Sequence, residues 1–186
     1  MTLQQRKDAA LKTPTAAVVW IPSEDVWGPI QAIRRRYDRH ITRWMPHVTL
    51  LYPFRPREEF DQVEPVLRAA LAEIPPFEAE LGEVRSFEHS AHSHTMWIAP
   101  EPSAAFRELQ SVLQAAVPDC NDVGNYAGGY TPHLSVGQSH GPPELPRRMA
   151  DVRSGWSPVR VQVGEVAMIY RVGETPFVVD RKVRLG

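Results

Sequence analysis

The chain has 186 residues, which suits one domain or two small lobes around a shared core. Its 21 Lys and Arg against 22 Asp and Glu leave a net charge of −1, which argues against bulk DNA or RNA binding and leaves a small nucleotide or a strand end as the nucleic acid it would hold. A single cysteine, Cys120, excludes an intrachain disulfide and a Cys-rich zinc site.

Residues 1–13 read as a flexible tail, polar and without the apolar stretch of a signal peptide, and no run reaches membrane-span length. The expectation is a cytoplasmic, monomeric protein that does not engage membranes. Residues 16–21 form an apolar run closed by Pro22 and read as a buried strand. Ser23 and Asp25 stand where a helix cap would, before a helix over 26–40 with Ile30, Ile33 and Tyr37 on one face. Residues 47–52 read as a strand between Pro46 and Pro53, followed by a helix over 57–72 and a strand over 77–88. A polar linker holding His89, His92 and His94 reads as a loop. Then come a strand over 95–99, a helix over 103–116, a Gly-rich loop over 118–130 and a strand over 133–137. A weak helix over 144–152 and two closing strands, 159–171 and 177–185, complete the chain.

The order repeats. Trp20-Ile21 matches Trp97-Ile98, Pro46-His47-Val48-Thr49-Leu50 matches Pro132-His133-Leu134-Ser135-Val136, and Leu81-Gly82-Glu83-Val84 matches Val163-Gly164-Glu165-Val166. Two such halves pack about a pseudo-twofold axis, as subunits of a symmetric dimer do, and equivalent residues near the axis face one another. Alternation along a strand sets His47 with Thr49, and His133 with Ser135, on one face, and turns Val48, Leu50, Leu134 and Val136 to the other. The expected result is a groove lined by two imidazoles and two hydroxyls. Histidine titrates near neutral pH, so one imidazole can take a proton from water while the other donates to a leaving oxygen. The hydroxyls can donate to phosphate oxygens.

The two His-x-Thr/Ser motifs, within this repeat, resemble those of the two-histidine (2H) phosphoesterase superfamily, the 2′–5′ RNA ligase-like proteins. The resemblance spans nearly the whole chain after the tail. It implies an α+β fold, a bilobal pseudo-twofold duplication over residues 14–186 with antiparallel sheets lining a central groove and helices outside. It implies a phosphoric diester hydrolase acting on 2′,3′-cyclic phosphates, on related cyclic nucleotides or on RNA ends, with no metal and no cofactor. His47 and His133 would be the acid–base pair and Thr49 and Ser135 the phosphate holders. Ser135 stands where many relatives have Thr, and Tyr52-Pro53-Phe54 departs from the usual strand continuation, which bears on substrate more than chemistry.

Around the motifs, Tyr52, Phe54, Arg55, Tyr130 and Arg171 are candidate substrate contacts, and Tyr126 is a further aromatic that could stack on a base. The histidines at 89, 92 and 94 invite a metal reading, but a polar loop with Glu88 as its nearest carboxylate is a poor ligand set. Arg34-Arg35-Arg36 reads first as a solvated helix face and second as an RNA-backbone contact. Two rival functions share the groove: RNA 3′-end trimming or 2′–5′ ligation, and nucleotide or RNA binding without turnover.

Overall fold

A computed structural model describes residues 11–126, 128–141 and 143–186. Most of the expected tail, residues 1–10, lies outside the described residues, but its last part is tied down. Thr13 forms a bridge with Phe54, and Lys12 pairs with Asp122.

The elements are β1 (Ala16–Trp20), α1 (Trp27–Tyr37), β2 (Val48–Leu51), α2 (Phe60–Leu71), β3 (Phe77–Ser90), β4 (Ser93–Glu101), α3 (Ser103–Ala116), β5 (Leu134–Ser139), α4 (Leu145–Gly155), β6 (Val159–Val163), β7 (Glu165–Tyr170) and β8 (Val178–Arg184). Short 3-10 turns lead into α1 and α2. Ser23 makes no side-chain cap bond, because the chain enters α1 through that turn. The helices follow their apolar spacing. Phe60, Leu67 and Leu71 of α2, and Phe106, Leu109 and Leu113 of α3, are fully buried stripes against the sheet.

The strands form one eight-stranded sheet in the order β6-β3-β4-β5-β2-β1-β7-β8. Every neighbouring pair is antiparallel. The fold is therefore α+β. The two halves join edge to edge through β2 and β5, where Val48 pairs with Leu134. Outward from that seam the strands run β5, β4, β3, β6 on one side and β2, β1, β7, β8 on the other, which is the pattern a twofold axis at the seam generates.

Register refines the repeat. Trp20 pairs with Val48, and Ile98 pairs with Leu134. Since Val48 and Leu134 are equivalent, Trp20 corresponds to Ile98 and the expected match with Trp97 is off by one. The consequence is a change of face. Trp20 lies in the main core, edge-on to Phe106, whereas Trp97 stacks on Phe87 on the opposite side of the sheet.

Two more expectations change. The 159–171 strand is two strands, broken at Gly164, one on each half: β6 pairs with β3 and β7 with β1. Because a single residue links them, the sheet must curl until its two halves nearly meet. The histidine-rich linker is the tight turn of the β3–β4 hairpin, so His89 and His94 sit on strands, paired with the neighbouring strand out to Ser90↔Ser93.

Helices cover one face of the sheet, over the main core. A smaller apolar cluster of Ala17, Val19, Ala167, Ile169 and Phe177 lies on the other face, with Trp44 and Tyr52 against it. That second face carries the site. Helix α1 approaches β5 so closely that a Cβ on Gly137 would fall 2.5 Å from the Tyr37 Cβ.

Candidate active site

The seam sets the geometry. With Val48 opposite Leu134 in an antiparallel pair, His47 lies beside Ser135 and Thr49 beside His133. Val48, Leu50, Leu134 and Val136 are buried in the core, while His47, Thr49, His133 and Ser135 keep exposed surface on the other face. The histidines are diagonal neighbours across the seam, a relation that separates residues by about 7–8 Å and their Cβ atoms by somewhat less. A phosphate group fits such a gap. Irregularities at equivalent places, around Leu50 in β2 and Val136 in β5, shift the alternation so that Tyr52 and Gln138 follow on the groove face.

Each imidazole is held the same way. His47 Nδ1 lies 2.7 Å from the Met45 carbonyl and His133 Nδ1 lies 2.8 Å from the Thr131 carbonyl. A carbonyl only accepts, so both Nδ1 atoms carry the proton and both Nε2 atoms are left with a lone pair. Aromatic rings fix the ring planes. Trp44 stacks on His47 at 4.7 Å, and Phe87 and Trp97 meet His133 edge-on at 5.0 and 6.0 Å.

Burial disfavours the charged form of both rings. Burial pushes the His47 pKa down to about 4; the Met45 carbonyl opposes this, and Arg34 and His133 add to it. Burial likewise lowers that of His133, against the Thr131 carbonyl and with a further push from His89. His133 is thus close enough for its charge to be felt at His47. A stability effect follows. Below the ordinary histidine pKa of about 6.5 the unfolded chain takes up protons that the folded chain refuses, so stability falls as pH drops from there toward 4. Melting temperatures over that window should decline, and the decline should be shallower in His47→Gln.

Residues 38–46 bring Trp44 and Met45 to His47, and a buried ion pair holds them there. Arg34, at the end of α1, donates from Nε to Asp38 (2.8 Å), from Nη1 to Gln31 (3.2 Å) and from Nη2 to the Trp44 carbonyl (2.8 Å). Asp38 also accepts from the His40 amide at 2.9 Å and from Gln138 at 3.2 Å, which ties the loop to β5. Trp44 continues the stack onto Phe177 at 3.8 Å. A cavity of about 320 Å³ opens here, walled by His47 and Ser135 from the seam, Arg34, Trp44 and Gln138, and His89 from the hairpin. Thr49 and His133 sit on the same sheet face beyond its rim.

The other expected contacts divide. Tyr52 is on the groove face, edge-on to Trp44 at 5.6 Å, with its hydroxyl donating to the Pro14 carbonyl. Phe54 is a correction: it is fully buried against Phe60 in the main core and cannot touch a substrate, because the chain has left β2 at Leu51 and bridges Phe54 to Thr13 instead. Arg55 is buried and bonded to Asp119 at 2.6 Å, so its charge is already matched. Tyr130 donates to the Thr49 carbonyl at 2.7 Å and packs on the core, and burial raises its pKa; it braces the motif strand. Arg171 braces the β7–β8 turn through the Gly173 carbonyl and lies 5.6 Å from the Phe177 ring, one layer behind Trp44. Among the described residues no three His, Cys, Asp or Glu side chains are grouped to hold a metal ion.

Sequence reasoning missed Arg34, Asp38, Trp44 and Gln138. Arg34 was one of a run of three arginines, and the only signal setting it apart was an acid four residues on. Trp44 and Gln138 carried none, since loop shape and the strand irregularity bring them in.

The sequence model of the 2′-5′ RNA ligase superfamily matches residues 22–175. The chain belongs to that superfamily, the 2H phosphoesterases. Two curated relatives share the name "Putative phosphoesterase". That of Halalkalibacterium halodurans is 26% identical over 170 residues, 91% of this chain and 96% of its own. That of Geobacillus kaustophilus is 28% identical over 126 residues, 65% of this chain and 67% of its own. Among solved structures, this superfamily member resembles TT0787 of Thermus thermophilus (TM-score 0.61, 19% identity, 91% of this chain and 97% of that one). It also resembles E. coli LigT in apo form (TM-score 0.59, 14% identity, 94% and 99%). At those identities the structural likeness establishes the 2H fold. The phosphoesterase class rests on the superfamily and the curated relatives.

Proposed function

We propose that this chain is a phosphodiesterase that opens a 2′,3′-cyclic phosphate, or a related cyclic nucleotide or RNA-end diester, by two-histidine acid–base catalysis without a metal. The observation that carries this reading is the matched tethering of His47 and His133, each with Nδ1–H on the carbonyl two residues back and each with Nε2 unprotonated. In the reaction, water attacks phosphorus and gives its proton to one Nε2. The bond from phosphorus to one ribose oxygen breaks, and that oxygen takes a proton from the other imidazole, leaving a phosphomonoester. Thr49 and Ser135 donate to the non-bridging oxygens. One histidine must become protonated for this, and the bound anion supplies the cause, since a negative charge between the rings favours imidazolium.

Two further points support a nucleotide. The related E. coli LigT was crystallised with 3′-AMP, a phosphomonoester of the kind this reaction yields. The cavity of about 320 Å³ and its Trp44 wall suit a base and sugar beside the phosphate. The chain would act as a soluble monomer on a small nucleotide or RNA end; among the described residues no helix is long and apolar enough to cross a membrane.

The test is a panel of cyclic and linear phosphodiesters assayed in EDTA, with products separated by regiochemistry. Turnover of the 2′,3′-cyclic substrates is expected to persist in chelator. Binding without product from any substrate would leave the chain a nucleotide-binding protein, and cleavage confined to linear 3′ ends would make it a trimming enzyme.

A further inference from the structure

A second cavity, also about 320 Å³, adjoins the first and shares Asp38, Arg39 and Gln138 with it. It lies between the C-terminal turn of α1 and the start of α4, lined by Arg35, Arg36, Arg39, Arg148, Tyr37 and His140. So dense a positive wall is unexpected in a chain whose net charge is −1. Part of the charge is answered locally: Asp151 pairs with Arg36 and accepts from the Tyr37 hydroxyl, Glu144 pairs with Arg148, and Asp38 is held by Arg34 behind the wall. Arg35 and Arg39 are exposed, and among the described residues neither has a carboxylate within ion-pair distance.

The guanidiniums are also held in place. Arg36 and Arg148 lie over the Tyr37 ring, at 5.3 and 5.7 Å from its centroid. Arg148 donates to the Gln138 carbonyl at 2.7 Å, which fixes it to the strand that carries Ser135. Donors fixed by ring contacts and backbone bonds lose less side-chain freedom on binding an anion, which favours a ligand over a purely solvated face.

We propose that this basic pocket holds the neighbouring internucleotide phosphate of a strand whose terminal phosphate sits between His47 and His133. The assignment rests on the function proposed above and narrows its substrate to a single-stranded oligonucleotide end. The shared wall at Arg39 and Gln138 makes the path from one phosphate to the next continuous.

The test uses the double variant Arg35→Ala/Arg36→Ala, both positions being exposed on a helix that alanine favours. Three substrates are compared: a nucleoside 2′,3′-cyclic phosphate, the same compound with a 5′-phosphate, and a tetranucleotide ending in the cyclic phosphate. The variant should raise KM for the tetranucleotide about tenfold and leave the unphosphorylated mononucleotide within about twofold. A separate anisotropy titration follows a fluorescent tetranucleotide with a 3′-phosphate. There the salt slope of log K should fall by about 0.7 in the variant, one single-strand phosphate contact's worth. Equal effects on all three substrates, or none on the tetranucleotide, would overturn the strand path while leaving the diesterase reading intact. The 5′-phosphate of the second compound stands where that internucleotide phosphate would, so it should share the tetranucleotide's sensitivity to the variant; an effect confined to the tetranucleotide would move the contact farther along the strand and overturn the assignment. If the wild type turns over nothing, the diesterase reading falls alone; the anisotropy slope still decides the pocket, an unchanged slope rejecting it.

Discussion

His47→Ala and His133→Ala should each lower kcat/KM for a 2′,3′-cyclic nucleotide by about 10²–10⁴-fold, the range for loss of a positioned proton-transfer group. The double variant should fall little further, because the two imidazoles act in one step and their losses do not add. Both rings keep exposed surface and make their aromatic contacts on the groove face, away from the main core, so circular dichroism and melting of the variants at neutral pH should stay close to wild type. The pH profile separates free from bound enzyme. Burial depresses both imidazoles in the empty groove, so the bell in kcat/KM should peak below pH 6.5. Its basic limb should move upward in kcat, where the bound phosphate favours the imidazolium. Coincident limbs in kcat and kcat/KM would mean that the phosphate does not sit between the rings.

The largest effect on stability is expected at Asp38. The Arg34 and Asp38 side chains are only 2% and 3% exposed, and removing one partner strands a buried charge. Asp38→Ala should therefore cost about 3–5 kcal/mol in urea unfolding. The paired replacement Arg34→Met/Asp38→Leu, which removes both charges, should cost clearly less. The same change reaches the chemistry, since Arg34 holds the Trp44 carbonyl and the loop supplies both the stack on His47 and the Met45 acceptor. In the paired variant the fold should survive while kcat falls, and the His47 pKa should move up only slightly, because Arg34, which lowers it, and Asp38, which raises it less, leave together. A paired variant with wild-type kcat would reduce Arg34 and Asp38 to packing.

What the sequence could reveal was what period and repetition encode. Helix α3 appears at the expected bounds because its apolar residues recur at three- and four-residue steps. The seam was legible because two matching strands each alternate a histidine and a hydroxyl with core residues, and alternation alone assigns faces. Register was not legible. Trp97 resembles Trp20 in local sequence, yet strand pairing puts them on opposite faces, and no local pattern reports which residue of a neighbouring strand lies opposite. Phe54 was misplaced for a similar reason, since the chain leaves β2 at Leu51 and Phe54 bridges to Thr13, a pairing that no local pattern reports. The break at Gly164 hides inside one continuous strand-like stretch, because β6 and β7 are both good strands and only the curl of the sheet separates them. Arg34 stood in a run of three arginines of which it alone is buried. Burial within such a run depends on which way the helix faces, and α1 turns Arg34 toward the loop.

The central claim is that one phosphate is held between two imidazoles that are both neutral until it arrives. Nitrogen-15 NMR of the histidine side chains reads this directly, at pH 7 in EDTA, with and without a nucleoside 2′- or 3′-monophosphate. The free protein should show His47 and His133 as neutral rings protonated at Nδ1, and on binding one of the two should become imidazolium while its counterpart stays neutral. Signals from both rings that ignore the ligand, or an Nε2-protonated tautomer in the free protein, would contradict the account.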